Sequence, residues 1–99
     1  MSREELNKEL NKAIGQRVQE IRTRCNLSLE DFSVILDVTP DFLGLIERGE
    51  RSLPIRHLVV LSTLFPVSQE YITTGVGKPP IRFFDTPILF LKQYFRRTS

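Results

Sequence analysis

The strongest constraint on this chain is a pair of helix-start signals separated by a stop. Ser28 precedes Leu29, Phe32, Ile35 and Leu36, which recur at helical spacing, and serine is a favoured N-cap. Asp37-Val38 ends that run, and Thr39-Pro40 starts another. Threonine caps, and proline suits the first helical position because its missing N–H would be unpaired there anyway. The next helix is predicted over about Pro40 to Arg48, with Gly49 stopping it. Two helices of about eight residues are thus joined by a tight turn. Such a unit makes specific demands. Ser33 supplies a small residue midway along the first helix, where the second crosses close by. The turn needs a residue that tolerates positive φ, and Asp37 is an acceptable substitute for glycine. Val38 must point inward behind the turn, and Leu43 and Ile46 must be buried against the first helix.

The rest of the chain reads as helix on either side. Ser2 with Glu5 forms a capping box for a long helix over about Arg3 to Arg24, with Leu6, Leu10, Ala13, Ile14, Val18 and Ile21 at helical spacing. Asn26 suits the exit from that helix. Pro54 opens a fourth helix to about Leu64, with Leu58, Leu61, Leu64 and Phe65 inward, and Pro66 breaks it. Ser68 caps a short fifth helix ending near Thr74, closed by Gly75. Lys78-Pro79-Pro80 reads as a stiff linker. Ile81 to Asp85 is expected to be extended or irregular, and Thr86-Pro87 to start a last helix over Ile88 to Arg97.

Ninety-nine residues make one domain of modest core. No stretch approaches a membrane span of roughly 20 apolar residues. The charged segment Met1 to Leu10 lacks the apolar region of a signal peptide, and the lone Cys25 cannot form an internal disulfide. The expected compartment is therefore the cytoplasm. The net charge of +2 is unevenly spread. Residues 14–75 carry six arginines against eight acids, a sum of −2, whereas residues 76–99 carry five bases against Asp85, a sum of +4. Any nucleic-acid surface in the middle must come from local clustering of arginines.

No residue set suggests catalysis. No Ser/Cys–His, paired-carboxylate or metal-spaced constellation occurs, so no enzyme activity, metal or cofactor is expected. His57 is expected to face solvent near the start of the fourth helix, and Cys25 to be a half-buried apolar filler. Gly75-Val76-Gly77-Lys78 lacks the glycine spacing and preceding strand of a phosphate loop.

Two short helices joined by such a turn have the geometry of a helix-turn-helix. At this point the sequence resembles a known family. Ile14-Gly15-Gln16-Arg17-Val18, Leu27-Ser28, Asp37-Val38-Thr39, the run Leu43 to Arg51 followed by Pro54, Val67-Ser68 and Tyr71 to Gly75 look like the Cro/C1-type (XRE-like) helix-turn-helix domain. The resemblance implies an all-α, five-helix, lambda-repressor-like domain over residues 1–75, with the motif at about 28–48. A linker and an additional C-terminal helix would occupy 76–99. It implies a sequence-specific regulator of transcription, a repressor, binding double-stranded DNA through Pro40 to Arg48 in the major groove. Thr39, Pro40, Asp41, Phe42, Gly44 and Leu45 would face the DNA, and Ser28 and Leu29 would sit near a phosphate. Glu47 would pair with Arg22 and orient it toward phosphate, and Arg48 and Arg51 would be further phosphate contacts.

This chain departs from the family at Leu29, where glutamine is common, and at Asp37, where glycine is. Among the recognition positions, Pro40, Phe42, Gly44 and Leu45 cannot donate to a base edge; Phe42 could touch a thymine methyl, and Asp41 could accept from cytosine N4. A protein-interaction module, antitoxin-like, that keeps the fold with reduced DNA readout is the alternative. Beyond Gly75, Phe84, Ile88, Leu91 and Phe95 fall on one helical stripe, widened by Phe90 and Tyr94. Burying each such side chain gains roughly 1.5–3 kcal/mol, so the domain itself, a second copy or another partner must cover the stripe. The expected cover is a second copy, giving a twofold homodimer, and packing of the tail on its own domain is the alternative.

Overall fold

A computed structural model describes residues 1–79, and these form five helices with no strand among them. The helices are α1 (Arg3–Arg24), α2 (Leu29–Leu36), α3 (Pro40–Glu47), α4 (Ile55–Leu64) and α5 (Gln69–Thr74). The predicted C-terminal helix and the stripe Phe84, Ile88, Leu91 and Phe95 lie outside the described residues.

Four starts are set by side-chain caps. The hydroxyls of Ser2, Ser28, Thr39 and Ser68 accept from the backbone N–H of Glu5, Asp31, Phe42 and Tyr71 at 3.2, 3.1, 3.1 and 3.0 Å, each satisfying an otherwise orphaned donor. Two ends differ slightly from the sequence expectation. Arg48 is the C-cap of α3 rather than its last helical residue, and Pro54 is the N-cap of α4 rather than its first. The two turns use the predicted non-glycine residues in the left-handed region, Asn26 at φ 56° and Asp37 at φ 57°. Asp37 N–H and Val38 N–H return to Val34 and Ser33 carbonyls, which closes the end of α2.

The core joins all five helices: Val18, Ile21 and Cys25 from α1 and its cap, Phe32 and Leu36 from α2, Leu43 and Ile46 from α3, Leu61 from α4, and Ile72 from α5. Leu27, Phe65 and Val67 complete it from the connections. Phe32 and Phe65 meet edge-on, with centroids 5.8 Å apart. Ser33 is buried, as the crossing requires, and its hydroxyl donates to the Glu30 carbonyl at 2.6 Å. Cys25 is fully buried rather than half-buried, and burial pushes its thiol up to about 12.

The closest approach is between α1 and α3. A Cβ on Gly15 would stand 2.2 Å from the Ile46 carbonyl oxygen and 2.8 Å from that of Glu47. One step on, Gly49 has φ +78° and lies against the Lys12 backbone, where a Cβ would come within 2.6 Å of its Cα. These two glycines let the end of α3 lie directly on α1. On the other side, α5 is tied to α1 by two long-range bonds. Arg17 Nη1 donates to the Ile72 carbonyl at 3.2 Å, and the Tyr71 hydroxyl donates to Glu20 Oε1 at 2.9 Å.

Leu6 and Leu10 are on the helical stripe of α1 but are 48 % and 46 % exposed, because residues 1–10 extend past the other described helices. The expectation for His57 is corrected. His57 is only 8 % exposed, facing the core side of α4 instead of solvent. Neither of its ring nitrogens has a hydrogen-bond partner among the described residues. Burial holds its pKa below the usual 6.5, and adjacent Arg56 adds to this while Asp37 opposes it. In acid the unfolded chain therefore takes up a proton that the folded chain resists. Stability should be full above pH 6.5 and decline as pH falls from there through the folded pKa, by at most about 1.4 kcal/mol per pH unit. Urea melts at pH 7.5 and 5.0 should show this loss, and His57→Leu should flatten it. An unchanged slope in His57→Leu would assign the acid sensitivity to other groups.

Candidate nucleic-acid interface

The outer face of α3 and the start of α2 form one surface. Leu29, Pro40, Asp41, Gly44, Leu45 and Arg48 line a shallow open groove of about 220 Å³. It follows from local sequence. Thr39 and Pro40 set the start of α3, so Asp41, Gly44, Leu45 and Arg48 recur along one side at spacings of three and four. Leu43 and Ile46 take the opposite, buried side. The αL turn at Asp37 sets the crossing that brings Leu29 to the same surface.

The structure therefore gathers six of the sequence-predicted interface residues into one groove and places the others around it. Ser28 and Thr39 are exposed at the two caps. Each uses a hydroxyl lone pair for its cap bond, which leaves its O–H free to donate. Phe42 is half-buried and packs against the core instead of lining the groove. Arg51 is exposed on the loop after α3, with its own N–H on the Leu45 carbonyl.

Arg22 stands at the far end of α3. Its Nε and Nη2 donate to the two Glu47 oxygens at 2.8 and 3.1 Å, and its Nη1 donates to the Leu27 carbonyl at 3.1 Å. The two side chains are 17 % and 6 % exposed. The pair thus links α1, the α1–α2 turn and the end of α3, in the bidentate geometry that arginine favours. Three of five guanidinium N–H groups are used, and two remain.

Other arginines are paired too: Arg24 with Glu20 at 3.8 Å, Arg56 with Asp37 at 3.5 Å, and Arg48 with Glu50, whose Oε2 accepts from Arg48 Nε at 2.6 Å. Among the described residues, Arg51 has no ion pair, no cluster of three or more metal-ligating side chains occurs, and no helix is long and apolar enough to cross a membrane.

Sequence reasoning missed Arg17, Glu20 and Tyr71, whose bonds are between residues more than 50 apart in the chain. Gly15 carried a readable signal, since an isolated glycine within a helical pattern commonly marks a close packing contact.

A family model described as helix-turn-helix matches residues 18–72, which include α2, α3, α4 and the Arg22–Glu47 pair. Searches of curated proteins and of solved structures give no match. The matched span is more than half of the chain and runs from within α1 to Ile72 of α5, so the chain belongs to the helix-turn-helix family, in the Cro/C1-type, XRE-like form that its motifs predicted, a family of DNA-binding regulators.

Proposed function

We propose that this protein is a sequence-specific, DNA-binding transcription regulator that represses by occupying an operator as a homodimer. The observation that carries this reading is the convergence of Leu29, Pro40, Asp41, Gly44, Leu45 and Arg48 on one groove along α3 that no other described residue fills. In this reading α3 enters the major groove and α2 crosses the phosphate backbone. Ser28 and Thr39 donate their hydroxyl protons to phosphate oxygens, Arg22 offers its two remaining N–H groups, and Arg51 contributes a charge. Residues 1–75 form the binding domain, and residues 76–99 supply the dimer contact through Phe84, Ile88, Leu91 and Phe95. Dimerisation suits this chain, because two weak half-site contacts then act together. The site of action is the cytoplasm.

Selection of binding sites from random duplexes at two salt concentrations tests the reading. The expected result is a palindrome whose affinity falls steeply with salt, with half-sites spaced by the dimer. Sedimentation of the full chain at high micromolar concentration should give a dimer, and a monomer there would remove the dimer from the reading. No enrichment, with negligible binding at low salt, would overturn DNA binding. It would leave a protein-interaction module, antitoxin-like, as the function, a reading favoured by the apolar lining of the groove and the −2 charge of residues 14–75.

A further inference from the structure

We propose that Arg48 is a base-reading residue that recognises guanine, held over Gly44 by Glu50, and not a phosphate contact. The inference rests on the DNA-binding reading above and assigns the specificity of its groove.

The groove is short of hydrogen-bond donors. Leu29, Pro40, Gly44 and Leu45 have no polar side chain, and Asp41 only accepts when ionised. Arg48 is the one donor side chain lining it. Arg48 is the C-cap of α3, yet its guanidinium folds back along the helix. Its Nη1 lies 3.0 Å from where a Cβ on Gly44 would be, one turn earlier. The missing side chain at Gly44 is what leaves room for it. Glu50 fixes the pose from the other side by taking Nε at 2.6 Å. With Nε occupied, the four N–H groups of Nη1 and Nη2 remain, and this end of the fork matches the paired O6 and N7 acceptors of guanine.

Local charge separates a base from a phosphate as the partner. Arg48 has Glu50 bonded to it and shares the groove with Asp41. A phosphate there would put a third anion around one guanidinium. The major-groove edge of guanine is neutral and offers the same two acceptors. A carboxylate beside an arginine also costs general DNA affinity, and it is compensated when it orients the fork toward a base.

The test uses the full chain and the site recovered by selection, and compares wild type with Arg48→Met, Arg48→Lys and Gly44→Ala. Lysine keeps the charge but loses the planar fork. Alanine at position 44 crowds the flexible tip of Arg48 and meets Leu29 only at ordinary contact distance, and it is the better helix former, so the fold is retained and the guanidinium is displaced. In wild type, replacing one guanine per half-site by 7-deazaguanine, which lacks only the N7 acceptor, should weaken binding about fivefold or more. In Arg48→Met, which removes every donor, that penalty should disappear. In Arg48→Lys, which keeps the charge but loses the paired donors, it should shrink while affinity for random duplex and the salt slope stay unchanged. Gly44→Ala should reduce the penalty in the same direction, with a thermal melt at or above that of the wild type.

The opposite pattern would overturn the inference: no guanine sensitive to 7-deaza substitution in wild type, with Arg48→Met weakening all duplexes alike and lowering the salt slope by about one. That pattern would make Arg48 a phosphate contact and leave the regulator reading intact. Failure of the wild-type chain to bind any duplex would instead overturn the DNA-binding reading and this inference with it.

Discussion

Gly15→Val should leave the chain without a cooperative unfolding transition, and Gly15→Ala should cost more than about 3 kcal/mol. In an exposed helix interior the alanine exchange gains about 1 kcal/mol from propensity. Here the sign reverses. The added Cβ would stand 2.2 Å from the Ile46 carbonyl oxygen and 2.8 Å from that of Glu47. Both are backbone atoms of the last turn of α3, so no rotamer change relieves the clash. Relief requires α3 to move off α1, which would open the contact that buries Val18, Leu43 and Ile46. Overpacking a core commonly costs 1–3 kcal/mol even where side chains can give, and domains have only about 5–15 kcal/mol in total. Thermal melts followed by circular dichroism measure this directly. Gln16→Ala, at an exposed neighbouring position, is the control and should melt like the wild type or slightly above it. If Gly15→Ala melted with the control, the close approach of α1 and α3 would be refuted.

Glu47→Ala should destabilise the fold by about 3–5 kcal/mol, the usual cost of removing one partner of a buried ion pair. The loss exceeds that of the bonds themselves because Arg22 keeps its charge at a site that is only 17 % exposed, with the Leu27 carbonyl as its remaining acceptor. The double exchange Arg22→Met with Glu47→Leu should recover most of the loss, since no stranded charge is left. Urea denaturation of the two single variants and the double variant gives the coupling energy as a cycle. A coupling below about 0.5 kcal/mol would mean that the pair acts independently of the fold and that its role lies elsewhere.

The legible parts of this fold were those encoded by near neighbours. Ser28, Thr39-Pro40 and Ser68 fix helix starts through bonds that span three residues, and Asp37 ends α2 through its own backbone conformation. Leu43 and Ile46 announce their burial by spacing alone. The groove was also legible, because its lining follows from the same spacing once the inner side of α3 is known. What spacing does not encode is which helix comes to rest on which. Leu6 and Leu10 continue the stripe of Val18 and Ile21, yet among the described residues no other helix reaches that far along α1. His57 has the polarity of a surface residue and was buried by the packing of α4, at the expense of two nitrogens without a partner among the described residues. Phe42 shares α3 with the groove residues but sits far enough around the helix to join the core. The fold-back of Arg48 onto Gly44 comes with a bond to Glu50, a partner that lies beyond the helix end.

The start of α1, which no other described helix covers, has a consequence for how the molecule breathes. A helical segment of about ten residues is marginal in water on its own, and among the described residues only the backbone bonds of residues 1–10 and the Ser2 cap keep that segment wound. From Gly15 onward the same rod is fixed by α3 and α5. Its amide protons are therefore expected to fall into two populations in a hydrogen-exchange measurement, those of the first turns exchanging through fraying and those around Val18 and Ile21 exchanging when the whole domain opens. Helix α1 is continuous in geometry and should be divided in opening free energy, with the boundary between Leu10 and Gly15, where the rest of the described structure first reaches it.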